Sequence, residues 1–277
     1  MAKIIAIANQ KGGVAKTTTT QNLAVALAQK GKKVLMIDYD SQASLTIVTG
    51  LEPEQFENNC IVQAISEPDK KNTEYKPISE CITKTPSGNV YLVPSIIDLA
   101  DMEWQMFSRI NRDSILKDAL EPILDDFDFI LIDCPPALGI LTMNALACAD
   151  GLLIPSSTEY LSYRGLKNLM RTIRQVKTSL NKNLQVLGVI ATRHKRTTRN
   201  KQILEVTMQN FPVIAVVKEL VEVMEGIYDG QAVVESLPNS EVSIAYKQVA
   251  NMIINDQYPE LKNWNWSDNK EENNQEK

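Results

Sequence analysis

Histidine is almost absent: His194 is the only one in 277 residues. It has no evident catalytic partner, which disfavours protease or esterase chemistry of the Ser-His type. The four cysteines, Cys60, Cys81, Cys134 and Cys148, are scattered and form no CxxC pair. That pattern excludes a zinc ribbon and a disulfide framework and fits a reducing cytosol. No uncharged apolar run reaches about 18 residues, so a membrane-spanning helix is not expected. The N-terminal apolar stretch is too short and strand-like for a signal peptide. Positive charge is also lacking overall, since 29 Lys and Arg face 34 Asp and Glu for a net charge of −5. Any nucleic-acid role must therefore rest on a local patch.

The chain is 44% hydrophobic, enough for a sizeable core. Short β-branched runs cover residues 3–8, 33–37, 90–93, 127–132, 152–154, 186–191 and 213–217. Most are continuously apolar, as in parallel strands covered on both faces. Helical patterns lie between them, over residues 17–30, 115–124, 165–180 and 201–210, with Gly31 placed as a C-terminal cap. This alternation predicts an α/β fold, a doubly wound and mostly parallel sheet flanked by helices. Residues 52–88, with Pro53, Pro68, Pro77 and Pro86, read as short helices and loops inserted after the second strand. The expected organisation is one domain over residues 1–263 and a polar, disordered tail over residues 264–277.

The sharpest motif is Gln10-Lys11-Gly12-Gly13-Val14-Ala15-Lys16-Thr17-Thr18, between a strand and a helix. Glycines turn backbone N–H groups inward, and the following helix N-terminus adds positive potential, so the segment suits a phosphate. In such a loop Lys16 reaches the β- and γ-phosphates and the Thr17 hydroxyl ligates Mg²⁺. Two strands also end in acids: Asp38-Tyr39-Asp40 closes one run and Asp133 another. Carboxylates at i and i+2 of an extended segment share a face and can aim at one site.

With Lys11 included, the loop resembles the deviant Walker A motif, KGGxxKTT, of the ParA/MinD superfamily. That resemblance implies ATP and Mg²⁺ as cofactors and an ATP-driven homodimer in which Lys11 reaches the partner's phosphates. Residues 11–18 would then bind nucleotide. Ala15 departs from the family's glycine; its methyl is harmless at negative φ and costs about 1 kcal/mol at positive φ. The segment 38–42 resembles the family's DxDPQ, with Ser41 for proline. By that likeness Asp40 orients or activates the attacking water and Asp38 supports the metal shell. Phe129 to Pro136 resembles the Walker B segment, so Asp133 holds Mg²⁺ through water. Further matches run through Tyr91 to Ser95, Leu138 to Leu146 and Ile154 to Tyr160.

The pattern as a whole is similar to the ParA branch, in a small form without the N-terminal helix-turn-helix of larger members. It implies a cytoplasmic, nucleoid-associated partition ATPase that binds nonspecific double-stranded DNA as an ATP dimer. A ParB-like centromere-binding protein would stimulate hydrolysis and release the DNA. Arg193, Lys195, Arg196, Arg199 and Lys201 crowd after the strand at 186–191, where helix starts usually favour acids. They are read as DNA-backbone contacts, with Lys218 added where the family has an arginine. The region 216–226 otherwise departs from the family pattern. The alternative is a MinD-like, membrane-associated division-site regulator. That role needs a basic amphipathic C-terminal helix, and residues 263–268 supply tryptophans without a basic face.

Overall fold

The apolar runs pair side by side in a computed structural model that describes residues 1–67, 75–219 and 230–258. The strands are β1 Lys3–Ile7, β2 Val34–Asp38, β3 Thr83–Lys84, β4 Val90–Val93, β5 Phe129–Asp133, β6 Gly151–Ser157, β7 Gln185–His194 and β8 Val213–Lys218. They form an eight-stranded sheet in the order β3-β4-β2-β5-β1-β6-β7-β8. All described pairings are parallel except the β3–β4 pair at one edge. The doubly wound, mostly parallel expectation is borne out. Strands β2, β5 and β6 are buried at every position, which is why their sequences run continuously apolar instead of alternating.

The helices are α1 Lys16–Ala28, α2 Ser44–Val48, α3 Ile61–Ile65, α4 Leu99–Met106, α5 Ile115–Leu120, α6 Ile140–Cys148, α7 Tyr160–Ser179, α8 Thr198–Asn210, α9 Val233–Ser236 and α10 Glu241–Ile254. They cover both sheet faces. One core joins α3 to α7 with the side chains of Leu35, Ile37, Ile130 and Ile132. The other joins α1, α9 and α10 with Ile5, Ile7, Met36 and Leu131. Alternate residues of each central strand thus feed opposite cores, as the period of two requires.

Gly31 ends α1 as expected. Its φ is 79°, its N–H donates to the Ala28 carbonyl at 2.9 Å, and Lys32 N–H donates to Leu27 at 3.3 Å. That is a Schellman closure. The insertion between β2 and β4 contains 3-10 turns at Pro53–Phe56 and Ile78–Cys81 around α3, matching the expected short pieces. The two-residue β3 and the helix α4 carry too little strand or helix punctuation to be read from the sequence, whereas α10 is capped by Ser240, whose Oγ accepts from the Ser243 N–H at 3.2 Å, a start signal that the sequence does carry. α7 begins five residues earlier than its pattern suggested, because the polar turn at Tyr160–Arg164 is held by tertiary contacts. The tail at 264–277 lies outside the described residues, as do residues 220–226 of the divergent stretch. Among the described residues, no helix is long and apolar enough to cross a membrane.

Candidate nucleotide site

Three strand ends converge. The register sets Ile7 of β1 and Asp38 of β2 on either side of Asp133 in β5. The chain leaves β1 through Asn9, which is buried and donates from Nδ2 to the Pro155 carbonyl at 2.7 Å. Its Oδ1 accepts from Lys11 N–H at 3.1 Å. Gln10 Nε2 donates to the Gly165 carbonyl of α7 at 3.0 Å. Gly13 and Ala15 both have positive φ, 70° and 65°. The Ala15 methyl therefore sits in a left-handed residue, the strained alternative of the two.

The loop is braced from β7. Thr192 Oγ1 donates to the Val14 carbonyl at 2.9 Å and Arg193 Nη1 to the Gly13 carbonyl at 2.9 Å. With the carbonyls turned to these donors, the amides of residues 12–18 find no acceptor among the described residues. A run of N–H groups without a close acceptor among the described residues, at the start of a thirteen-residue helix, suits a polyphosphate. Lys16 is 8% exposed. Burial lowers its pKa, and the Asp133, Cys134 and Asp40 charges oppose that shift.

Thr17 Oγ1 donates to Asp133 Oδ2 at 2.7 Å and Thr20 Oγ1 to Oδ1 at 3.3 Å. Burial pushes the Asp133 carboxyl up to about 8, helped by Asp38 and opposed by Thr17 and Lys16. Burial likewise raises Asp38 to about 7, against the hydrogen bonds of Thr46. Dry acids held beside one another in this way favour a cation between or beside them. Among the described residues, no group of three His, Cys, Asp or Glu side chains forms a closed metal site. One hydroxyl and one carboxylate fit Mg²⁺, which keeps several waters and takes its remaining ligands from substrate phosphates.

The two acids of β2 separate in function. Asp38 is fully buried, and its Oδ2 accepts from Thr46 N–H at 2.7 Å and Thr46 Oγ1 at 2.8 Å. Those bonds tie its Oδ2 to the start of α2, while the strand register keeps Asp38 beside Asp133. Asp40 is partly exposed; its Oδ1 accepts from Gln42 N–H at 3.1 Å, and its charge acts on both Lys16 and Asp133.

Lys11 does not fold into its own loop. Its Nζ lies 2.6 Å from Glu159 Oε2 and 2.9 Å from Ser162 Oγ, at the start of α7. Ser162 in turn meets Ser157 Oγ at 2.6 Å. Asn9, Thr20, Thr46, Glu159 and Ser162 were not assigned roles from the sequence. Their contacts across the site, to Pro155, Asp133, Asp38 and Lys11, lie between 8 and 151 residues away, so no local pattern marks them.

The basic cluster is divided. Arg193 serves the phosphate loop and also pairs with Glu219 at 3.0 Å. Lys195 pairs with the same Glu219 at 3.0 Å. Lys218 pairs with Glu241, which Arg196 approaches at 4.0 Å. Arg199 and Lys201 are exposed and have no ion pair among the described residues. His194 is buried, its Nδ1 is 3.3 Å from Thr158 Oγ1, and burial lowers its pKa; its place is structural.

Comparison with known proteins follows the same lines. Residues 2–186 match the family model described as AAA domain. The sporulation initiation inhibitor protein Soj of Bacillus subtilis is 39% identical over 212 residues, covering 76% of this chain and 81% of Soj. Among solved structures, cobyrinic acid a,c-diamide synthase from Mycobacterium smegmatis with bound ATP analog and magnesium superposes with a TM-score of 0.78 at 32% identity. It covers 92% of this chain and 95% of that one. A plasmid partition protein from Borrelia burgdorferi bound to AMPPNP gives a TM-score of 0.79 at 26% identity, covering 92% of this chain and all of that one. The open amides of residues 12–18, the Thr17–Asp133 contact and these likenesses agree: the chain belongs to the AAA domain family and is a P-loop ATPase of the ParA/MinD type.

Proposed function

We propose that this protein is a partition ATPase that uses ATP and Mg²⁺ to switch between a monomer and a DNA-binding sandwich dimer. Residues 12–18 hold the phosphates, Lys16 neutralises the β- and γ-phosphates, and Thr17 with Asp133 holds Mg²⁺. Asp40 positions the attacking water, and Asp38 keeps the segment behind it in place. A ParB-like centromere-binding protein stimulates hydrolysis, which releases the DNA, and the working location is the nucleoid in the cytoplasm.

The observation that carries this reading is the position of Lys11. Its ammonium leaves its own phosphate loop and lies at the protein surface against Glu159. A lysine so placed is available to a second copy's phosphates. A nucleotide buried between protomers then shifts the monomer–dimer equilibrium by its differential affinity for the two states. Pairing two protomers also doubles the phosphate contacts open to DNA. Arg199 and Lys201, free of ion pairs among the described residues, are the members of the basic cluster best placed to make them.

The test is binding of random-sequence duplex DNA, and in parallel of anionic vesicles, with ATP, ADP or no nucleotide. DNA retained with ATP alone supports partition. Vesicle binding without DNA binding would support the MinD-like division role instead. Lys16→Ala should abolish both nucleotide binding and the ATP-dependent response, and unchanged turnover in that variant would remove Lys16 from the site.

A further inference from the structure

α7 is a long helix whose only charged residues are cations. Over Tyr160–Ser179 it has Arg164, Lys167, Arg171, Arg174 and Lys177 and no Asp or Glu, in a chain whose net charge is −5. Its apolar side, Leu166, Leu169, Met170, Ile173 and Val176, is buried in the core. The first four cations follow at intervals of three, four and three residues. At 100° per residue they fall within an arc of roughly 80° on the side away from that core, and they span about 15 Å of helix. All four are exposed. Lys177 is set apart, since its ammonium donates to the Leu184 carbonyl at 2.6 Å.

The first turn of α8 lies next to this ridge. Asn200 Nδ2 donates to the Thr158 carbonyl just before α7 at 2.7 Å. The Tyr163 ring of α7 meets Phe211, the residue after α8, at 6.1 Å. The exposed Arg199 and Lys201 therefore lie near the start of α7, at one end of the ridge. The acids that neutralise the neighbouring cluster, Glu219 and Glu241, pair with Arg193, Lys195, Arg196 and Lys218.

We propose that the outer face of α7, built on Arg164, Lys167, Arg171 and Arg174 and flanked by Arg199 and Lys201, is a contact surface for the phosphate backbone of duplex DNA. The inference rests on the partition reading and moves its DNA surface from the β7–α8 loop onto a helix. Asn168 and Gln175, exposed beside the cations, add neutral hydrogen-bonding groups of the kind that position a protein on phosphates without reading sequence. A lipid surface fits less well, because a membrane-lying helix needs a free apolar face and that of α7 is committed to the core. A protein partner would need an apolar anchor at the centre of its footprint. Beyond Tyr160 and Leu161 at the helix start, the exposed face has none.

The experiment compares the full chain with its Lys167→Glu, Arg174→Glu double variant, and with the milder Lys167→Gln, Arg174→Gln pair. Affinity for a random-sequence duplex is measured with ATP and Mg²⁺ over a series of salt concentrations. Both variants should keep wild-type ATP affinity and basal turnover. The Glu pair should bind DNA at least about tenfold more weakly at low salt, and each lost contact should reduce the slope of log K against log salt by about 0.9. Unchanged affinity and slope in the Glu pair, with the wild type binding DNA, would overturn the α7 surface while leaving partition standing. Loss of vesicle or partner-protein binding with DNA binding intact would overturn it as well. A wild-type chain that ignores DNA under ATP would remove the partition reading, and this surface with it.

Discussion

Ala15 shows how one methyl group tests a backbone. It sits at φ 65° in the phosphate loop, where an L side chain costs about 1–2 kcal/mol. Glycine removes that strain but adds unfolded-state freedom worth about 0.4–1 kcal/mol. Ala15→Gly should therefore stabilise the protein by a net of about 0.5 kcal/mol, seen as a small rise in Tm without loss of ATP binding. A lower Tm would show that the methyl's packing outweighs the strain. Asp40 makes a chemical claim at the same scale. Its carboxylate is partly exposed and held by the Gln42 N–H, whereas Asp38 is spent on Thr46. Asp40→Ala should keep ATP affinity and slow single-turnover hydrolysis by about 10²-fold or more, as expected when a positioned base or water is lost. Normal turnover would transfer that role elsewhere.

β7 illustrates what an element hides. Its sequence reads as a smooth apolar run, yet its pairing with β6 slips between Leu152 and Leu153. Gly188 follows the slip at φ 154°, and an added Cβ there would fall 2.4 Å from Ile214 Cγ2 and 3.0 Å from the Pro212 carbonyl. A methyl in that position overpacks the β7–β8 contact and takes a backbone conformation that L residues avoid. Gly188→Ala should cost about 2–3 kcal/mol, lowering Tm by roughly 5–10 °C. Because β7 carries Thr192 and Arg193 to the phosphate loop, ATP affinity should fall along with stability. A variant with wild-type Tm would mean that β8 yields freely at this edge.

The whole molecule sets Lys11 between two partners. In the described chain it pairs with Glu159, whose pKa is lowered first by that hydrogen bond. In the proposed ATP sandwich it would leave for the other copy's phosphates. Half-exposed pairs of this kind are worth up to about 1 kcal/mol. Glu159→Gln should thus shift ATP-dependent dimerisation to about two- to fivefold lower nucleotide, read by light scattering, and Lys11→Ala should bind ATP yet stay monomeric. An ATP dimer in Lys11→Ala would end the trans role of this lysine, and an unshifted Glu159→Gln would show that the cis pair does not compete with it.

The sequence alone determined the parallel α/β sheet, the phosphate loop and the acids at the strand ends. These are local in their causes: continuous apolar runs demand burial on both faces, and the chemistry of Gly12, Gly13, Lys16 and Thr17 lies within one short segment. Gly31 closed its helix as its position required. Tertiary structure alone decided which groups of a motif are engaged by the rest of the protein. Asp38 accepts from Thr46 because α2 folds back over it, and Arg193 turned from a surface cluster to the Gly13 carbonyl because β7 lies alongside the loop. The pairing of Lys195 and Lys218 with Glu219 and Glu241 likewise depends on β8 and α10 being brought together. Charge is visible in a sequence, but its neutralisation depends on partners that only the packed chain brings within about 4 Å.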